Sequence, residues 1–301
     1  MTTVLLLGAS GFLGGHVRQA LAPFATLHCP TRAELDLVRC DVAELAALLR
    51  TVRPSTVVNC GGRLSGDGAE LVLANTAGTA KLVEAIGAVA PGTRLVRLGS
   101  AAEYGSVPHG HAACEDDPAV PVSEYGVSQL AATRLVELAG AAGRVDGVVL
   151  RVFNPIGPGL PAETVLGRAA ALLGAARATA ATGISMGPLT AYRDFVDVRD
   201  VASAVVAAVR APVLPERVYN VASGSAVPTR DAVRLLAETA GFTGEIREDL
   251  PAPGRSAAVG WMCGDVRRAG RLLGWAPAYD LVDSVKAVWS SRADGTTRPN
   301  L

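Results

Sequence analysis

A doubly wound α/β architecture with a parallel central sheet is predicted by three features of the chain. Short apolar runs alternate with longer Ala- and Leu-rich stretches of helical period. A glycine-rich loop follows the first apolar run directly, and a turn-rich break at 153–159 separates this regular half from a less regular remainder. Strand–helix alternation needs crossover connections, and therefore a parallel sheet covered on both faces. The runs at 4–7, 25–28, 56–59, 94–98 and 148–152 read as strands, and 12–22, 41–52, 68–89 and 125–142 as the helices between them.

Beyond the break lie an Ala-rich helix at about 163–180, a strand at 217–221, a helix after Thr229 and a terminal helix near 280–290. These pieces are too short and mixed to extend the sheet regularly. The expected organisation is therefore a first domain at 1–160 and a smaller C-terminal α/β substrate domain at 161–301, sharing a strand or helix with the first. The polar tail from Ser291 is expected to fray.

Composition narrows the function. Half of the 301 residues are apolar, which excludes disorder and provides for a large core. Twenty-eight basic and 28 acidic residues cancel, so the basic excess of a nucleic-acid binder is missing. Lysine occurs only at Lys81 and Lys286, leaving arginine to carry almost all the positive charge. Five cysteines, odd in number and without a CxxC pair, suggest neither a disulfide framework nor a zinc site. With no signal-peptide pattern and no apolar run of membrane-spanning length, a soluble cytoplasmic protein without nucleic-acid or membrane partners is expected.

The loop Gly8-Ala9-Ser10-Gly11-Phe12-Leu13-Gly14 joins the first strand to the first helix. Its glycines let the turn tighten and bring backbone N–H groups close to a pyrophosphate, which the helix N-terminus favours electrostatically. A Rossmann-like dinucleotide site is the reading, with Gly8, Ser10, Gly11, Phe12, Leu13 and Gly14 as contacts. After the second strand the chain reads His28-Cys29-Pro30-Thr31-Arg32, with no acid before Glu34. An arginine there favours a 2′-phosphate, hence NADP(H), with NAD(H) as the alternative. Asp36 is placed beside the adenine.

At this point the chain resembles the extended short-chain dehydrogenase/reductases, which act mostly on nucleotide-diphosphate sugars. Besides the glycine loop, the resemblance is carried by Asn75-Thr76-Ala77-Gly78-Thr79, Gly99-Ser100-Ala101-Ala102-Glu103-Tyr104-Gly105, Ser123-Glu124-Tyr125-Gly126-Val127-Ser128-Gln129, Arg151-Val152-Phe153-Asn154 and Arg193-Asp194-Phe195-Val196-Asp197-Val198. The Ser-Ala-Ala-Glu-Tyr-Gly and Phe-Asn-x-x-Gly-Pro-Gly segments look most like GDP-4-keto-6-deoxymannose reductases, and 32–37 is similar to dTDP-4-keto-rhamnose reductases.

The resemblance implies that Tyr125 gives a proton to a substrate carbonyl that Ser100 polarises while hydride arrives at its carbon. The position one turn after the tyrosine is lysine in that family, where it binds the cofactor ribose and lowers the tyrosine pKa. Here it is Gln129, which keeps the hydrogen bonds and supplies no charge. An unassisted tyrosine, with a pKa of about 10, suits a proton donor, so reduction is favoured over oxidation. Arg97, a charge in an apolar strand three positions before Ser100, either points toward the site and partly restores its field or is a paired strand-end arginine.

Ala101 and Ala102 stand where 4,6-dehydratases carry an Asp-Glu pair, which argues against dehydration. The resemblance assigns Asn154, Arg193 and Arg255 to the substrate's sugar and diphosphate, with Asp194 and Asp197 holding their loop. His109 and His111 lack a third ligand for zinc and read as part of an active-site loop. Leu130, Arg134 and Leu138 share one helix face, which in this family builds a dimeric bundle, so a homodimer is expected.

The reading is an NADPH-dependent reductase of the 4-keto group of a nucleotide-diphospho-6-deoxyhexose. The alternatives are an epimerase or carbonyl reductase on another substrate, and a redox-silent dinucleotide-binding protein in which Gln129 has ended catalysis.

Overall fold

The computed structural model describes residues 2–251 and 259–293. The first half alternates strictly: β1 (Thr2–Leu7), α1 (Phe12–Leu21), β2 (Ala25–His28), α2 (Val42–Val52), β3 (Thr56–Asn59), α3 (Gly68–Leu71), α4 (Gly78–Val89), β4 (Arg94–Ser100), α5 (Glu124–Ala141) and β5 (Asp146–Val152). The second half supplies α6 (Val165–Thr179), β6 (Gly183–Ser185), β7 (Tyr192–Asp194), α7 (Val198–Arg210), β8 (Val218–Val221), β9 (Ala226–Pro228), α8 (Thr229–Thr239), β10 (Glu245–Arg247), β11 (Trp261–Met262), α9 (Arg267–Leu273) and α10 (Leu281–Ala293).

The central sheet has the order β2-β1-β3-β4-β5-β8, with every pair parallel. Both faces are covered, so the strands are apolar throughout: Val4, Leu5 and Leu6 are all fully buried although they point to opposite faces. Val4 and Leu6 join the core beneath α1 and α7, whereas Leu5 and Leu7 join the one beneath α2, α4 and α5. The chain leaves β1 toward β2 on one side and returns to β3 on the other. That reversal opens a crevice beyond the carboxyl ends of β1 and β3, where ligands of such sheets bind.

Two differences from the sequence reading matter for the site. The fourth strand continues two residues past Leu98, because Gly99 and Ser100 pair with Arg151 and Val152 of β5. Ser100 is thus the last residue of the strand and sits on the crevice floor. The helix expected over 68–89 is interrupted by a π turn at Val72–Ala77 between α3 and α4. Asn75 and Thr76 use that turn to reach α5: the Asn75 amide donates to Ser128 Oγ and the Thr76 hydroxyl to the Ser128 carbonyl.

The chain also crosses back. Residues Val218–Val221 form a sixth parallel strand against β5, and α7 packs beside α1. The pieces that stay outside the main sheet build a second core from α6, α8 and α10, around Leu166, Leu173, Val233, Leu236 and Val285. They also form a three-stranded sheet, β11-β7-β9, and the β10-β6 pair.

The tightest joint in the first layer lies between the glycine loop and α1. A Cβ on Gly14 would fall 2.0 Å from the Gly8 carbonyl oxygen, whereas one on Gly15 would stay 3.9 Å from the Ala9 oxygen. Gly14→Ala is expected to lower stability by about 1–3 kcal/mol in urea unfolding and to weaken dinucleotide binding. Gly15→Ala is expected to be neutral or stabilising in the same measurement.

Candidate active site

The glycine loop is shaped by backbone contacts. Gly8 has φ +76, and a Cβ there would lie 2.7 Å from the Gly61 nitrogen, so the turn after β1 presses against the chain leaving β3. The Gly11 amide donates back to the Gly8 carbonyl at 3.1 Å. Gly11 then caps α1 without a side-chain hydrogen bond, and no acidic residue lies in the first turn. The opening amides of α1 and the positive end of its dipole therefore face a space that suits a pyrophosphate. His16, one turn along α1, meets the Pro158 carbonyl at 2.9 Å and fastens this helix to the Phe-Asn turn.

At the end of β2, the Thr31 amide and hydroxyl both donate to the Glu34 carboxylate, which turns it away from a ligand role and closes a short turn. Arg32 and Arg39 lie on either side of Asp36, at 4.0 and 3.9 Å from its carboxylate. All three line an open cavity of about 930 Å³ together with His28 and Glu44. Arg39 was not singled out from the sequence; only the turn at 36–40, where the Cys40 amide donates to the Asp36 carbonyl, brings it to the same rim as Arg32.

The catalytic candidates lie at the end of β4 and in the first two turns of α5. Ser100 ends the strand, and its hydroxyl accepts from the Ala102 amide. Tyr125 sits in the first turn of α5, which Ser123 caps by accepting from the Gly126 amide. A Cβ on Gly126 would lie 2.5 Å from the Ala102 carbonyl, so the start of α5 rests directly on the turn after Ser100. Gln129 follows Tyr125 by one turn and is 6% exposed. Its Oε1 accepts from Arg97 Nη2 at 2.5 Å. A guanidinium only donates, so the amide oxygen must face Arg97, and the NH₂ group, which has no protein partner among the described residues, is turned the other way. Neither lysine approaches this point: Lys81 donates to the carbonyls of Leu37, Val38 and Cys40, and Lys286 is exposed on α10.

On the substrate side, Asn154 has φ +20, and its amide nitrogen donates to the Asp194 carbonyl at 2.9 Å. Its amide oxygen has no protein partner among the described residues. Arg193 on β7 is 9% exposed and donates to the carbonyls of Tyr192 and Val259. Burial pushes its guanidinium below the usual arginine range. Arg255 lies outside the described residues. Asp194 is fully buried and accepts from Ser223 N and Oγ, Gly224 N and Gly264 N, while Asp197 caps α7 and pairs with Arg199. Both aspartates are consumed in holding loops. His111 pairs with Asp117 at 2.6 Å, His109 packs against Tyr192 and Trp261, and the described residues hold no cluster fit for a metal.

Comparison with known proteins identifies the family. The profile of the NAD dependent epimerase/dehydratase family matches residues 4–222. The chain belongs to this family. Within it, the chain is 42% identical to the dTDP-6-deoxy-L-talose 4-dehydrogenase (NAD(P)(+)) of Kitasatospora kifunensis, covering 96% of this chain and 95% of that one. It is 31% identical to the GDP-6-deoxy-D-mannose reductase of Pseudomonas aeruginosa, covering 95% and 96%. Among solved structures, RMD from Pseudomonas aeruginosa, complexed with NADPH, superposes with a TM-score of 0.86 at 28% identity, over 98% of this chain and 100% of that one.

In this member of the epimerase/dehydratase family, a charged layer beneath Ser100 escaped the sequence reading. Glu103 is fully buried; its carboxylate accepts from the Ser100 amide at 3.0 Å and from Arg151 Nε at 2.8 Å. The Arg151 guanidinium also lies 4.6 Å from the centre of the Tyr104 ring. Tyr104 itself donates to Asn220, and burial pushes its hydroxyl up to about 12, so it stays protonated and does not compete with Tyr125. Nothing in the spacing of Glu103 and Arg151 announces the pair, because the two residues meet only through the β4–β5 register.

Removing one partner leaves the other charge buried alone. Arg151→Met is expected to cost about 3–5 kcal/mol in urea unfolding, and the double variant Arg151→Met/Glu103→Leu to regain most of that loss.

Proposed function

We propose that the chain reduces the 4-keto group of a nucleotide-diphospho-6-deoxyhexose with NADPH. The observation that supports this reading is that the start of α5, which carries Tyr125, rests on the turn directly after Ser100, with the Gln129 amide one turn further along the same helix. The named activities of two relatives, matched over nearly their whole length, support oxidation or reduction of a nucleotide-linked 6-deoxy sugar, and the first of the two names places it at position 4.

The residues present fit a dinucleotide. The tight turn that Gly8 and Gly14 permit leaves the uncapped opening amides of α1 to hold the pyrophosphate, and the Gln129 NH₂ would hold the adjacent ribose. Bound there, the cofactor supplies a hydride. Tyr125 supplies the proton to the carbonyl oxygen, and the Ser100 hydroxyl donates a hydrogen bond to that oxygen as negative charge gathers on it. Substrate binding falls to Asn154, through its amide oxygen, with Arg193 and Arg255 for the diphosphate. Guanidinium groups suit that task because each holds two phosphate oxygens at once.

Preference for the 2′-phosphate rests on Arg32 and Arg39, which share the rim of one cavity. A homodimer is part of the same reading. Val127 and Leu138 are exposed apolar residues on α5, the helix the sequence singled out, and Val72 and Leu73 are exposed on the π turn. No described helix is long and apolar enough to cross a membrane.

The experiment is NADPH consumption with nucleotide 4-keto-6-deoxy sugars. Tyr125→Phe is expected to lower kcat at least about 100-fold while leaving NADPH affinity within twofold. Unchanged turnover in that variant would remove Tyr125 from the chemistry. Separately, Arg32→Ala/Arg39→Ala is expected to weaken NADPH binding about tenfold and to leave NADH binding unchanged, as read by fluorescence titration. Equal loss for both cofactors would assign the 2′-phosphate elsewhere.

A further inference from the structure

Arg97 is a cation where a parallel strand normally holds an aliphatic residue. It lies between Val96 and Leu98 on β4 and is 3% exposed. Its hydrogen bonds go to three neutral groups: Thr79 Oγ1 on α4 at 3.2 Å, Thr133 Oγ1 on α5 at 3.5 Å, and Gln129 Oε1 at 2.5 Å. Keeping a guanidinium out of water without a carboxylate bonded to it is costly, so the neutral cage holds a charge the fold does not need for pairing.

The nearest carboxylate leaves that charge standing. Glu103 is bonded to Arg151 and to the Ser100 amide, so Arg97, Glu103 and Arg151 together sum to +1. Other ionisable groups on the elements packed around α5 are paired or placed elsewhere. Glu70 is bonded to Arg63, Glu84 to Arg144, and Lys81 to carbonyls at the far side of α4; Glu124, beside Tyr125 in sequence, lies over Gly68. Burial pushes the Arg97 guanidinium below its ordinary range, and Glu103 and Tyr125 oppose that push. The interaction is mutual: what an ionised Tyr125 does for Arg97, Arg97 does for an ionised Tyr125.

We propose that Arg97 is the positioning charge of this active site, stabilising the tyrosinate left when Tyr125 Oη transfers its proton to the substrate oxygen. The inference rests on the role given to Tyr125 above. In the reducing direction the C=O carbon gains hydride, the oxygen gains the Tyr125 proton, and the tyrosinate is reprotonated from water. In the reverse direction the tyrosinate takes the proton from the alcohol. Gln129 and Arg97 thus divide between two side chains the hydrogen bonding and the charge. The same Gln129 amide is held by Arg97 through its oxygen and offers its NH₂ to the cofactor. On this proposal the same residues serve the reaction in either direction.

The test begins without cofactor or substrate. Tyrosinate absorbance of the wild type minus that of Tyr125→Phe gives the ionisation of Tyr125, expected about 1–3 pH units below the ordinary value of about 10. Arg97→Gln, neutral and polar, is expected to raise it by one unit or more. That variant should also slow alcohol oxidation about tenfold at neutral pH. Arg97→Lys is expected to keep the low value, and Gln129→Lys in the Arg97→Gln background to restore it.

A wild-type Tyr125 that ionises at or above about 10 overturns the proposal even if Arg97→Gln fails to fold. So does a folded Arg97→Gln with an unmoved titration. A depressed titration that Arg97→Gln relieves, in a protein that turns over no nucleotide sugar, supports the role of Arg97 and sinks the substrate reading alone.

Discussion

The Glu103 carboxylate is the fixed point around which the site is arranged. It is fully buried and joins three things: the amide of Ser100, the guanidinium of Arg151 on the neighbouring strand, and the short turn that carries it. A carboxylate survives such burial only when its lone pairs are met by donors and its charge by a cation. Meeting both conditions ties the end of β4 to β5 and sets where Ser100 stands. The turn from 101 to 103 then offers the Ala102 carbonyl as the seat for Gly126, and the first turn of α5, which carries Tyr125, comes down on it. The end of β4 and the start of α5 are therefore seated by a charge pair that touches neither the Ser100 nor the Tyr125 hydroxyl directly.

A second buried carboxylate does the corresponding work around β7. Asp194 gathers four hydrogen bonds from residues 223, 224 and 264, drawing β7 against the loops that follow β8 and β11. Burial raises its pKa, against the pull of those same bonds. Its backbone carbonyl meanwhile receives the Asn154 amide, so the Phe-Asn turn and the substrate strand are positioned by one residue. His16 completes the link from the cofactor side through Pro158. The two layers share this seam, and it runs along the crevice.

Much of this was legible in the chain because it depends on local rules. Strands buried on both faces read as apolar runs, the glycine loop is a backbone requirement, and Tyr125 and Gln129 fall on one helix face by spacing alone. Arg97 was conspicuous as a charge in an apolar strand, but its partner was not, since Gln129 lies 32 residues away and meets it only when α5 packs on β4. Glu103–Arg151 and the pairing of Arg39 with Arg32 around Asp36 were hidden for the same reason. A strand at 217–221 and an element shared between the two halves were both read from the chain, but not that this strand is the shared one, because pairing order is set by the crossover and not by the strand's own residues.

The π turn at Val72–Ala77 gives the helix between β3 and β4 two phases instead of one. One extra residue lets Asn75 and Thr76 face Ser128 while Thr79, just beyond, faces Arg97. An ordinary α-helix advances about 100° per residue, so deleting a single residue here would rotate everything downstream by that angle relative to α3. Thr79 would then turn from the guanidinium it now bonds. Length in this segment is therefore constrained as tightly as residue type, and substitutions are accommodated there more readily than a one-residue insertion or deletion.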